Sequence, residues 1–242
     1  MAIKHNRFKD VSWYSEEPKP VLLGGAGGIS SWTALLLTRA NFSCIVYDAD
    51  LYEEHNMSGQ FVSQANLGMP KVESLFKDIK AFTGDEIIPM NEWFTAESMS
   101  NEIMVGGFDN MEARKLFFYN WLSYVNDKPK DERKDCLFID GRLLAEQYQI
   151  LSFTGDDTEA MDKYQSDYLF GDNEVEEAMC TLKQTSHIAA MIAARITTFV
   201  TNHVVNMKFG RVIQKIPFFY EEYAPLLMVT EKSAQDGNQQ SV

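Results

Sequence analysis

Gly24-Gly25-Ala26-Gly27-Gly28 follows directly on the short apolar run Pro20-Val21-Leu22-Leu23. Side chains do no chemistry in such a stretch, but its backbone can. A phosphate rests on backbone N–H groups at a helix start only where no Cβ blocks the approach. Gly25 and Gly27 allow a tight turn and that close approach. Asp48 follows Gly25 by 23 positions, the distance at which a carboxylate accepts hydrogen bonds from ribose hydroxyls. Glycines for phosphate and an acid for ribose together describe a nucleotide site.

Specific elements must position these groups. Residues 20–23 read as a strand, Trp32 to Arg39 as a helix and Cys44-Ile45-Val46-Tyr47 as a second strand ending at Asp48-Ala49-Asp50. Strand, glycine turn, helix, strand and acid make one half of a doubly wound sheet. The expected fold is α/β, Rossmann-like and mainly parallel, with helices on both faces and an antiparallel extension. Ser30 stands where the usual fingerprint has a third glycine, so slightly looser helix–strand packing is expected there.

Beyond Asp48 the text departs from a dehydrogenase. Asp48-Ala49-Asp50, Asn56, Gln60 and Gly68-Met69-Pro70-Lys71-Val72-Glu73-Ser74 fall in register, and Phe108-Asp109-Asn110 with Arg114 follows. Together they resemble the ThiF/MoeB/HesA family, relatives of the ubiquitin-activating enzymes. The resemblance covers residues 20–150 well and 180–210 more faintly. It implies ATP with magnesium and adenylation of the C-terminal carboxylate of a small ubiquitin-like or carrier protein, by a homodimer or larger assembly. It implies nucleotide binding at Gly25, Gly27, Gly28, Asp48, Asp50, Asn56, Gln60 and Lys71. Asp48 would take the ribose and Lys71 the phosphates. Asp109 would hold the magnesium or orient the reacting groups. Adenylyl transfer needs cationic charge on the polyphosphate and a carboxylate-held metal, and Lys71 and Asp109 are the right types.

There are departures from that pattern. The family's arginine in Asn-x-x-Arg-Gln is Gly59 here, and losing such a phosphate clamp would cost about a hundredfold in rate. The family's two Cys-x-x-Cys pairs are missing from a chain whose cysteines are Cys44, Cys136 and Cys180, so no structural zinc is expected. Cys180 precedes a long helix, where a helix N-terminus lowers a thiol pKa. It is a candidate nucleophile beside the plainer reading of a buried cysteine.

Composition narrows the function classes. A length of 242 residues, 45% of them apolar, suits one domain with a sizeable core. The net charge of −13 repels nucleic acid and anionic membranes. No apolar run reaches membrane-spanning length, residues 1–20 carry no secretory pattern, and scattered cysteines suit a reducing compartment. A cytoplasmic place is expected, or a virion-associated one if the chain is structural.

Residues 1–19 read as an N-terminal arm, with Phe8, Trp13 and Tyr14 set to pack; the family resemblance makes Arg7 a candidate to reach the partner subunit's nucleotide site, beside the plainer reading of a surface arginine. Residues 20–229 form a single domain. Leu51 to Asn56 is a loop over the nucleotide, in which His55 is a poor candidate base. A helix over 70–82 carries Lys71 in its first turn. Core strands are expected at 103–108 and 136–141, a helix at 111–125, and an antiparallel strand from Tyr148 to Phe153. The acidic stretch 155–178 reads as a mobile crossover loop, His187 to about Lys208 as a core or dimer helix, Ile213 to Met228 as terminal strand, and 230–242 as a disordered tail.

Three readings remain. One is an ATP-dependent adenylyltransferase. The second is a catalytically idle descendant serving as a subunit of a heterodimer or a phage particle, favoured by Gly59, Ser30 and the missing cysteines. The weakest is a dinucleotide-dependent oxidoreductase, disfavoured by the 68–74 and Asp109-Asn110 elements.

Overall fold

The computed structural model describes residues 7–169 and 184–236. Among the described residues five α-helices flank one eight-stranded sheet. In chain order the elements are β1 (Pro20–Gly24), α1 (Gly28–Arg39), β2 (Ser43–Tyr47), α2 (Lys71–Thr83), β3 (Ile88–Met90), β4 (Ile103–Gly106) and α3 (Met111–Asp127). Then come β5 (Leu137–Leu143), β6 (Gln147–Thr154), α4 (Thr158–Asp167), α5 (Ser186–Phe209), β7 (Phe219–Tyr223) and β8 (Met228–Lys232).

The strand order is β3-β2-β1-β4-β5-β6-β7-β8. Pairing is parallel from β3 through β5 and antiparallel from β5 to β8. The chain winds outward from β1 to β3, then returns to place β4 on β1's other side. That reversal opens a crevice at the carboxyl ends of β1 and β4, where open α/β sheets bind ligands.

Strand residues alternate between two cores, because successive side chains leave opposite faces of a sheet. Val21, Leu23, Cys44, Val46, Val105 and Ile139 pack with apolar residues of α1, α2 and α5. Leu22, Ile45, Met104, Phe138, Leu151 and Phe153 pack with α3 and α4 around Phe117, Phe118, Trp121 and Tyr164. Both faces of the parallel strands are covered, so those strands read as continuous apolar runs.

α5 has the length and apolar content of a membrane-crossing helix, yet 56% of its most apolar stretch is buried within the fold. The arm packs as its aromatics suggest. Phe8 lies 5.4 Å from Trp13, and Trp13 stacks on Phe42 at 6.3 Å.

Two expectations need correction. The acidic stretch is not a loop throughout, since Thr158–Asp167 is helical. Asp157 caps this helix by accepting from Ala160 N at 3.0 Å, and Ala160, Met161 and Tyr164 bury its inner face. The acids occupy its solvent side. Part of the expected disordered tail is ordered, because β8 runs to Lys232 on the β7 ladder and Ser233 N donates to Asp236 Oδ2 at 2.6 Å, while residues 237–242 lie outside the described residues.

Candidate functional site

The glycine turn sits at the crevice. Gly25 takes φ +85°, which only glycine adopts freely, and its N–H donates to Tyr47 O at 2.8 Å. Gly27 is the N-cap of α1 and no side chain caps that helix. A Cβ built on Gly27 meets nothing within 4 Å. The turn therefore presents open space to an uncapped helix start, whose N–H groups carry the positive end of the helix dipole. Ser30 does not loosen the packing. It is fully buried, and its hydroxyl donates to Gly24 O at 3.2 Å in space left by the absent side chain of Gly107.

Asp48 holds the turn from below. Its Oδ2 accepts from Ala26 N at 2.7 Å and its Oδ1 from Asp50 N at 2.8 Å. Each oxygen has a second lone pair, so ribose hydroxyls can still donate to it. Burial pushes the Asp48 carboxyl above its ordinary range, against the pull of Lys71 and the two N–H groups. Tyr52, which the sequence reading passed over, donates from its hydroxyl to Ala26 O at 3.0 Å and is almost wholly buried.

Lys71 reaches the site by a closed loop. Lys71 N donates to Asp50 O at 2.8 Å, Tyr52 N to Met69 O at 2.9 Å and Gly68 N to Tyr52 O at 2.8 Å. The start of α2 is thus pinned beside the end of β2. Lys71 Nζ lies 2.7 Å from Asp50 Oδ2 and 4.0 Å from Asp48 Oδ2, with the side chain only 11% exposed. An ammonium has three donors, so this pairing leaves capacity for a phosphate.

The Asn56–Gln60 segment is strapped to α1. Trp32 Nε1 donates to Gly59 O at 2.9 Å, and Phe61 N to Ser31 Oγ at 2.9 Å. Asn56 Oδ1 accepts from Glu53 N at 2.8 Å, so this candidate nucleotide ligand is engaged in a cap. Gln60 Oε1 is buried with no hydrogen-bond partner among the described residues. His55 points to solvent, 73% exposed and 3.2 Å from Glu53. Arg7 is exposed on the arm.

Asp109 lies exposed just beyond β4, and its Oδ1 accepts from Asn110 Nδ2 at 3.3 Å. Asn110 caps α3 by accepting from Ala113 N at 2.8 Å. Arg114 is engaged within the fold. Buried, it donates to Asp140 Oδ1, Phe108 O and Gly141 O, tying the loop after β4 to β5. Asp140 also accepts from Arg142 Nε at 3.0 Å and Tyr164 OH at 3.1 Å. Among the described residues no group of three His, Cys, Asp or Glu is placed to hold a metal. A magnesium ion here would rest on one or two carboxylates and on substrate phosphates, its usual manner of binding.

Burial pushes the Cys44 thiol to about 12 and the Cys136 thiol to about 11, so neither is a nucleophile near neutrality. Cys180 lies outside the described residues. A cavity of about 580 Å³ lies at the other end of the sheet, against the start of β5 and the end of β6, with His203, Arg211 and Lys215 in its lining. It shares no residue with the glycine turn.

Gln184 was missed. It stands just before α5, and its side chain fills the space beside Gly28 and Gly59. No local pattern links those three positions.

A sequence profile of the ThiF family matches residues 17–230. Ubiquitin-like modifier-activating enzyme 5 of Culex quinquefasciatus is 36% identical over 106 residues, which is 40% of this chain and 26% of the relative. The chain thus spans about a quarter of that curated relative. Among solved structures, PaaA superposes with a TM-score of 0.66 at 14% identity, over 96% of this chain and 66% of its own. The microcin C7 biosynthetic enzyme MccB in complex with N-formylated MccA gives 0.63 at 13%, over 99% and 69%. Escherichia coli MccB with ATP gives 0.62 at 14%, over 93% and 67%. The structural likenesses establish a shared fold, and the profile match over most of the length makes this chain a member of the ThiF family.

Proposed function

We propose that the chain binds ATP at the carboxyl ends of β1, β2 and β4 and adenylates the C-terminal carboxylate of a small ubiquitin-like or carrier protein, working as a homodimer. The observation that carries the reading is Lys71, held within 4.0 Å of both Asp48 and Asp50 beside an uncapped helix start with open space at Gly27. Relatives add support, since one is a ubiquitin-like modifier-activating enzyme and MccB has been crystallised with ATP and with MccA.

In this reading the α1 N-terminus and Lys71 draw the polyphosphate in, and Asp48 orients the ribose. A carboxylate oxygen of the carrier attacks the α-phosphorus. The bond from that phosphorus to the β-bridging oxygen breaks, and pyrophosphate leaves with the electron pair. No proton transfer is required, so the site needs cationic charge and alignment more than a general base. Asp48, Asp50 and Asp109 outnumber Lys71 at the strand ends. A magnesium ion bound with ATP would supply the missing positive charge, and in this reading Asp109 is the carboxylate that would hold it. Removing magnesium with EDTA should therefore abolish measurable ATP binding.

Calorimetry with magnesium-ATP on wild type and Lys71→Ala tests the reading. Micromolar binding and a tenfold or greater loss in the variant, about 1.4 kcal/mol, support it. Pyrophosphate exchange into ATP with candidate carriers then tests turnover. No ATP binding by wild type returns the chain to the second reading, a structural subunit on the same fold.

A further inference from the structure

Gly28 and Gly59 are glycines for room and not for conformation. Gly59 takes φ −134° and Gly28 begins a right-handed helix, so neither needs the left-handed region. What claims the room is Gln184. A Cβ on Gly59 would lie 2.6 Å from Gln184 Cβ and 3.2 Å from its Oε1. A Cβ on Gly28 would press into Gln184 Oε1 and sit 3.1 Å from Cδ. The Gln184 stem therefore lies on Gly59 and its amide on the first residue of α1.

The segment carrying Gln184 is anchored on both sides. Thr185 Oγ1 donates to Ala145 O at 3.1 Å, and Ser186 Oγ donates to Ser58 O at 2.9 Å. An amide offers an acceptor and two donors. The amide thus stands at the helix start that the glycine turn leads into, and its NH2 supplies two donors there.

We propose that Gln184 is a nucleotide-positioning residue, a neutral donor to the polyphosphate that fills the side-chain space vacated at 59. This rests on the ATP reading above. Position 59 and position 184 then share one volume, which one long side chain at a time can occupy.

Calorimetry with magnesium-ATP and with AMP on four variants tests this. Gln184→Ala should weaken ATP about tenfold while leaving AMP unchanged, because AMP lacks the β- and γ-phosphates. Gln184→Glu keeps the shape and should lose more than Gln184→Ala, since its carboxylate repels phosphate. Gly59→Arg should lose ATP binding through collision with Gln184. The double variant Gly59→Arg/Gln184→Ala should recover it to within threefold of wild type. The proposal is overturned if Gln184→Ala binds ATP like wild type, or loses ATP and AMP equally, or if Gln184→Glu binds as wild type does. Absence of ATP binding by wild type overturns the nucleotide reading itself and this proposal with it, a result distinct from those three.

Discussion

The two ends of the sheet are built from the same strands and differ in almost every polar feature. At the carboxyl end of the parallel strands, α1 and α3 begin, glycines leave the backbone bare, and the acid Asp48 braces the turn. At the opposite end α5 finishes, and its last turns, with residues 211–218 and 231–236, enclose the cavity around His203. Helix starts carry partial positive charge and helix ends partial negative charge. α4 also begins at the opposite end, where Asp157 caps it, whereas the start of α1 carries no side-chain cap and is left open to an anion.

The largest expected effect tests how firmly the first end is built. Asp140 is 1% exposed and bonded to Arg114, Arg142 and Tyr164. Asp140→Ala should cost about 3–5 kcal/mol in urea denaturation, because it leaves buried arginines without their counter-charge. A loss below about 1 kcal/mol would show that water reaches the network.

Next comes Gly24→Ala, whose Cβ would collide with Phe108 and sit 2.9 Å from Phe117 Cε2. Overpacking of this kind costs about 1–3 kcal/mol. It should also weaken ATP binding, since Gly24 leads straight into the turn. An unchanged melting temperature would mean the loop after β4 yields freely.

The opposite end should respond to pH. Burial holds His203 below its ordinary value, outweighing its hydrogen bond to Asp135 O at 2.9 Å, while Lys19 adds to the lowering and Asp135 and Glu102 oppose it. The folded state then accepts the proton less readily than the unfolded chain. Stability from this group is present above about pH 6.5 and is lost as pH falls toward the lower folded value, with a slope of at most about 1.4 kcal/mol per unit. Denaturation at pH 7 and 5.5 should show a smaller loss for His203→Gln than for wild type. Equal losses would remove the assignment.

The smallest effect concerns the β7–β8 turn. Leu227 has φ 52° and is 83% exposed. Leu227→Gly should be neutral or stabilising by up to about 1 kcal/mol, since strain is relieved and little packing is lost. A clear loss in melting temperature would reveal a packing role at that tip.

Much of the fold was legible because its signals are local. Helix α2 was placed by Pro70 and by Val72, Leu75 and Ile79 at helical spacing, and it runs Lys71–Thr83. The antiparallel turn after β5 was legible from the strand run at 148–153. The acidic stretch misled because charge dominated its composition, while Asp157 as cap and three inward residues set the helix. In the site, the glycines and the acids of β2 announced themselves by spacing. Asn56 and Arg114 matched a pattern, and the structure adds what spacing did not show, a cap at Asn56 Oδ1 and a buried network around Arg114.

The sequence by itself determined the glycine turn, the acid after β2 and the helix that starts at Lys71. Each depends on residues within one strand–turn–helix unit, where backbone sterics and apolar period are decided locally. Only the tertiary structure decided that Lys71 would meet Asp50, that Asp140 would bind two arginines and that Gln184 would lie on Gly28 and Gly59. Those meetings depend on how the sheet reverses at β1 and how the start of α5 lands on α1, and packing between distant segments leaves no periodic trace in the chain.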